Sequence, residues 1–458
     1  MKKITLTLLL LFIAGAAAML AEAPSIYAIR NARVVTVSGA VIERGTVLIR
    51  DGLIQEVGTN VNIPADAAII EGQGLTVYPG LIDALSTLGL PEFAPAAPAA
   101  NGAPGGAVRT TPGAPAQQQQ QAAQTRPAQG PEDRPQTTSW LNAADIVNPA
   151  DRRIETARNV GFTTAVSFPN RGIIAGQGAV IDLAGEKAGD MVVAEPVGMY
   201  MTMGSGGRGG GMGGGFPSSL FGVIAYVKQV YLDVDHYKLV KAAYQQHPQG
   251  MKRPEYDRAL EGVIQAPRIL LPANRAVEID RMLRLSAELK QKTVLYGGEQ
   301  AYEMAAALKQ AGTPVLINFK WPEPDRNADP DRPDSLRILE MRDKAPSSPA
   351  VLVKAGVPFA FYTDNTYTAR DLNRFARRAL DSGLSQNDLV RAFTLSAAEI
   401  FGVSDRLGSV DKGKIANLVV TDGDLFNEKT KVKYIFVDGV RFEPAPEPAQ
   451  PARGEVAQ

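Results

Sequence analysis

Five short apolar runs cross the middle of the chain: Phe162–Phe168, Arg268–Leu271, Thr293–Tyr296, Pro314–Ile317 and Phe359–Tyr362. Helical patterns separate several of them. Ile279, Met282, Leu283 and Leu289 fall on one face of a helix over 276–291, and Gly312 follows the next helix as a residue suited to its left-handed end. Ser385, with Asp388 three residues on, begins another helix that carries Leu389, Val390, Phe393 and Ile400. Strands alternating with helices argue for βα units, because a parallel neighbour is reached only by a crossover. The expected fold class is α/β, and 458 residues leave room for about eight units, the number in a (β/α)8 barrel.

Both ends read differently. Residues 27–77 alternate apolar and polar between turns such as Asp51-Gly52, and a second set of this kind lies at Leu418–Thr421 and Val432–Gly439. Residues 91–136 are dominated by Pro, Ala, Gly and Gln and hold too few large apolar side chains to offset the entropy of ordering, so they are expected to be a disordered insert. Residues 204–215 read as a flexible glycine-rich loop, although Gly204–Gly209 formally matches a dinucleotide-binding spacing. The tail 446–458 is expected to be disordered.

Met1-Lys2-Lys3, the apolar run Ile4–Leu20 and Ala21-Glu22-Ala23 have the form of a secretory signal over 1–23, cleaved before Pro24. This places the mature protein in a bacterial periplasm, with no membrane association after cleavage. The absence of cysteine excludes disulfides and thiolate metal sites. Lys plus Arg and Asp plus Glu both total 48, so no net field draws nucleic acid.

The stretch Tyr78-Pro79-Gly80-Leu81-Ile82-Asp83-Ala84-Leu85-Ser86-Thr87 resembles the first-strand signature of the amidohydrolase superfamily, in which Pro-Gly-Leu-Ile-Asp precedes two histidines spaced two apart. Two further stretches are similar to that family: Gly408–Leu418, like its closing run, with Asn417 in the place of an aspartate, and Leu395–Gly402, like one of its helices. The resemblance implies a barrel over 79–404 and a small β-sandwich composed of 24–78 and 405–445. It also implies hydrolysis of non-peptide C–N bonds by a metal-activated water. In this chain the histidine positions hold Leu85 and Thr87, and the fifth-strand histidine position holds Pro272, none of which is a good zinc ligand. The eighth-strand catalytic aspartate is matched by Asp364. Asp83, Glu299 and Lys320 are candidate pocket residues by strand-end position. The two histidines, His236 and His247, lie along one helical segment about 16 Å apart at 1.5 Å per residue and cannot share an ion.

Two readings follow. In the first the metal centre is lost, no cofactor is held, and the protein binds a small-molecule ligand, an active amidohydrolase relative or a second copy of itself. In the second it is a C–N hydrolase with a rewired site centred on Asp364, with zinc as its cofactor.

Overall fold

The computed structural model describes residues 25–91, 134, 136–204, 217, 219–324 and 334–444. The expected signal sequence and tail, most of the insert and nearly all of the glycine-rich loop lie outside the described residues. Five strands open the chain: β1 (Ile26–Val34), β2 (Ile42–Arg50), β3 (Leu53–Gly58), β4 (Ala68–Glu71) and β5 (Thr76–Pro79). The middle of the chain holds β6 (Leu81–Ser86), β7 (Phe162–Ser167), β8 (Ile174–Gln177), β9 (Ala179–Asp182), β10 (Val192–Ala194), β11 (Met199–Met201), β12 (Ile269–Ala273), β13 (Thr293–Gly297), β14 (Val315–Asn318) and β15 (Phe359–Tyr362). Three strands close it: β16 (Leu418–Thr421), β17 (Val432–Val437) and β18 (Val440–Phe442).

One eight-stranded sheet joins the two ends of the chain in the order β18-β17-β16-β5-β1-β2-β3, with β4 against β1. Its edge at β3 is led back toward β16 by hydrogen bonds from Ile54 N to Lys414 O (2.8 Å) and from Ala416 N to Gly52 O (2.7 Å). The sheet therefore folds around its own core, in which Ile29, Val47, Ile49, Ile54, Leu418 and Phe436 are buried. The expectation of two stacked sheets gives way to a single one.

The βα units follow the sequence pattern closely. The helix expected over 276–291 spans Ala276–Leu289, and Gly312 ends the next helix at φ +62°. The Ser385 hydroxyl accepts from Asp388 N, but the helix begun there stops at Ala392 and Ile400 lies on a second one, Leu395–Phe401, after a break at Thr394. β11 to β15 are parallel and adjacent in chain order. Leu270, Val294, Leu316 and Ala360 pack in one interior cluster, while Ile269, Leu295, Val315 and Ile317 join the cluster packed against the helices. This is the two-residue period of a strand buried on both faces.

A closed eight-unit barrel is not what the strands form. They make a four-stranded sheet, β10-β9-β7-β6, and a six-stranded one, β15-β14-β13-β12-β11-β8. β8 and β9 bend around Gly178, which links the two sheets by bonding to Gly198 and Val197. A Cβ at Gly178 would land on the Phe168 ring, so only glycine lets that ring lie against the bend. On the opposite side β6 lies beside β15 with no ladder between them. The groups such a ladder would use are already engaged: Ile82 N–H donates to Phe393 O (2.7 Å), and Thr363 N–H donates to the Asp83 carboxylate (3.1 Å). These two N–H groups already have partners, so pairing them across the seam brings no gain.

Candidate functional site

A cavity of about 180 Å³ opens at the carboxyl ends of the strands, the face on which open and closed α/β sheets place their ligands. Leu85 and Thr87 from the end of β6 both line it. The β6 register slips between Asp83 and Ser86, which turns Ala84 and Leu85 together into the interior. Such an irregularity at a strand end re-aims side chains beside a site.

Four aromatic rings line the wall beside Ser86 and Asn170. Phe168 follows β7, Tyr200 sits on β11, Tyr296 on β13 and Tyr362 ends β15. Tyr200 and Tyr296 stack at 5.0 Å between ring centres with 26° between planes, and Phe168 lies 5.9 Å from Tyr200. The Tyr296 hydroxyl donates to Met201 O (2.9 Å). Burial pushes the phenol of Tyr200 up and those of Tyr296 and Tyr362 well up, so all three stay neutral near pH 7.

Asp364 and Asn365 form the rim. They follow β15 at φ +50° and +59°, two successive left-handed residues in a turn closed by Thr366 N to Thr363 O (3.1 Å). Asp and Asn tolerate this conformation better than other side-chain-bearing residues. The Asp364 carboxylate is close enough to help raise the phenols of Tyr200 and Tyr362. Thr87 faces Asn365 and accepts from Arg153 Nη1 (3.1 Å); Arg153 Nη2 also reaches the carbonyls of Thr87 and Leu90, and the guanidinium pairs with Asp151.

The other sequence candidates lie elsewhere. Asp83 is fully buried and does not line the cavity. Its carboxylate accepts from Thr363 N (3.1 Å), the Thr363 hydroxyl (2.6 Å) and the Tyr367 hydroxyl (2.8 Å), so it spans the seam between β6 and β15. Burial pushes it up to about 6 against those bonds. Glu299 is half-buried and pushed up by burial, then by Glu278; Lys320 is exposed; neither lines the cavity. Pro272 pairs in register with Tyr296 on β12, beyond the point where β11 pairing stops, so its missing N–H leaves no ladder bond unmade on that side. His236 is exposed on the helix Leu220–Gln246, and His247 is exposed at its end.

A metal ion does not fit the donors gathered at this cavity, which are one carboxylate, hydroxyls and two amides among aromatic rings. Among the described residues no group of three or more His, Asp or Glu side chains is gathered to hold one. Sequence reasoning missed the tyrosines. Tyr296 and Tyr362 stand at the ends of strands it had identified and were reachable by that signal; Tyr200 sits on a three-residue strand beside a glycine-rich run and was not.

The signature of the Amidohydrolase family matches residues 341–441, which take in Asp364 and the closing strands but not the first-strand stretch. Among solved structures, an amidohydrolase from Thermotoga maritima MSB8 is 25% identical, with a TM-score of 0.71, over 91% of this chain and 100% of that one. A prolidase complexed with N-methylphosphonate-L-proline is similar in fold at 16% identity and TM-score 0.51, over 91% and 99% of the two chains. So is a Xaa-Pro dipeptidase with bound methionine in its active site, at 14% and 0.50, over 92% and 100%. Comparison with curated protein sequences gives no match.

Proposed function

We propose that this chain, similar in fold and in residues 341–441 to amidohydrolases, has kept the hydrolase fold and its pocket but binds a small-molecule ligand there without metal-dependent hydrolysis. The observation that carries this reading is the makeup of the wall: Leu85, Thr87, Phe168 and three tyrosines surround the space, and Asp364 is the one carboxylate among the lining residues described. A metal-activated water needs several nitrogen or oxygen ligands and a base at hydrogen-bond distance. Here the base position is filled and the ligand positions are apolar or hydroxyl. We read the two sheets as an amidohydrolase barrel opened at the β6–β15 seam and pinned there by Asp83. Export to the periplasm and association with an active relative are parts of the same proposal, supported by the N-terminal sequence and by the retained fold.

The turn that aims Asp364 at the cavity supports a second reading, a hydrolase of C–N bonds with zinc or a rewired site. Elemental analysis of the purified protein, with a screen of cyclic amides and dipeptides with and without chelator, separates the two. Substoichiometric metal and no turnover are expected. Stoichiometric metal with chelator-sensitive turnover overturns the binding reading.

A further inference from the structure

The cavity joins two features that serve one kind of ligand. Its wall is built from electron-rich ring surface, and its rim carries a single negative charge. The stacked pair Tyr200 and Tyr296 is fixed by the bond from the Tyr296 hydroxyl to Met201 O. Phe168 is held against Tyr200 and against Phe401 below it, and Gly178 admits its ring to the bend. Tyr362 completes the aromatic side next to Asp364. The nearby cations are committed or turned away: Arg153 is tied to Asp151 and to loop carbonyls, and Lys320 is exposed outside the cavity.

An anion would meet a carboxylate with no cation in the described lining to balance it. A neutral apolar molecule would gain nothing from the exposed Asp364 carboxylate at the rim. A small organic cation satisfies both, since aromatic faces attract positive charge within about 6 Å of the ring centre and a carboxylate supplies the Coulomb term. An alkylated ammonium adds methyl groups that match the apolar wall, and a cavity of about 180 Å³ is of the scale of such a head group.

We infer that the cavity is a recognition site for an alkylated ammonium group, held by Tyr200, Tyr296, Tyr362 and Phe168 with Asp364 as its counter-charge. This rests on the reading of the cavity as a ligand site and gives that site a ligand class. Its chemistry requires no bond to be made or broken.

The test is calorimetric titration of the full mature chain with choline chloride, and with the uncharged analogue that has carbon in place of nitrogen. Choline is expected to bind at least about ten-fold more tightly than the analogue, and its affinity is expected to fall as salt is raised. Asp364→Asn keeps the left-handed turn and is expected to weaken choline about five- to ten-fold while leaving the analogue unchanged. Retained analogue binding shows that this variant is folded. Tyr296→Leu is expected to weaken both, choline the more. Equal affinity for choline and analogue, or an Asp364→Asn variant that binds choline as the parent does, overturns the cation assignment but leaves a neutral-ligand site standing. No binding of either molecule also overturns it. The broader reading fails on different evidence, namely bound metal with chelator-sensitive turnover.

Discussion

Asp83 is the residue through which the seam of the fold is most directly measured. Replacing it with alanine leaves Thr363 N–H and the hydroxyls of Thr363 and Tyr367 without their acceptor, in a place with no exposure to water. Hydrogen bonds to a charged group contribute about 1.5–3 kcal/mol each. The rise from 3.8 to about 6 is what burial leaves after those bonds have acted, so the charged carboxylate contributes on the order of 3 kcal/mol less to folding at neutral pH than the protonated one does at low pH. Leaving three buried partners without an acceptor, Asp83→Ala is expected to cost about 2–5 kcal/mol near pH 7. The sign of the pH dependence is distinctive. A carboxyl whose folded pKa lies above its unfolded value of about 3.9 gives its full stabilisation at low pH and loses it as pH rises through about 6. The penalty of Asp83→Ala should thus be largest near pH 4 and shrink by up to about 3 kcal/mol by pH 8. Urea denaturation followed by circular dichroism at several pH values reads this directly, and Asp83→Asn should share the flattened pH response at a smaller cost. A penalty that grows with pH would refute the argument, because it would mean that the bonds, and not burial, dominate the titration.

Other outcomes follow from the same geometry. Asn417 donates to Asp182 Oδ1 (2.6 Å) and Thr164 Oγ1 (3.0 Å) and accepts from Asp438 N, tying the composite sheet to β7 and β9. Asp182 is already pushed up to about 7 by burial. Asn417→Asp sets a second carboxylate against it and is expected to cost about 3 kcal/mol at pH 8 and less at pH 5 in the same assay. Gly178→Ala drives a methyl into Phe168; a loss of about 1–3 kcal/mol in stability and weaker choline binding are expected together. The triple variant Leu85→His, Thr87→His, Pro272→His is expected to lose stability without metal and to gain about 2.7 kcal/mol at zinc a hundred-fold above its Kd, measured by thermal unfolding.

The fold was legible where local rules and tertiary packing agree. Buried strands at β12 to β15, the helix Ala276–Leu289 and the caps at Gly312 and Ser385 all follow from periodicity and end signals, and all are where those signals put them. The seam was not legible, because it depends on Phe393 O reaching Ile82 N across more than three hundred residues, a contact no local pattern encodes. Asp83 shows the same limit at a single residue: strand-end position suggested a pocket, and the slip of β6 between Asp83 and Ser86 placed the carboxylate in the seam and Leu85 in the cavity. Asp364 could be located because its turn sits at the end of a strand that the apolar run marks plainly.

Having Leu85 and Thr87, and not imidazoles, at the end of β6 affects more than the cavity itself. Ile82, Ala84, Val166, Leu270, Val294, Leu316 and Ala360 form a continuous interior that rests below on Ala397, Ile400 and Phe401. A ring of imidazoles would end that apolar column one layer below the mouth. With Leu85, Phe168 and Tyr362 in the upper layer the column continues into the cavity wall. Asp364 itself stays exposed at the rim, so its attraction for a cation is screened by water and falls as salt is raised. If the cavity serves cation recognition in place of metal chemistry, the two properties should change in opposite directions when histidines are set at 85, 87 and 272: zinc affinity should rise as choline affinity falls.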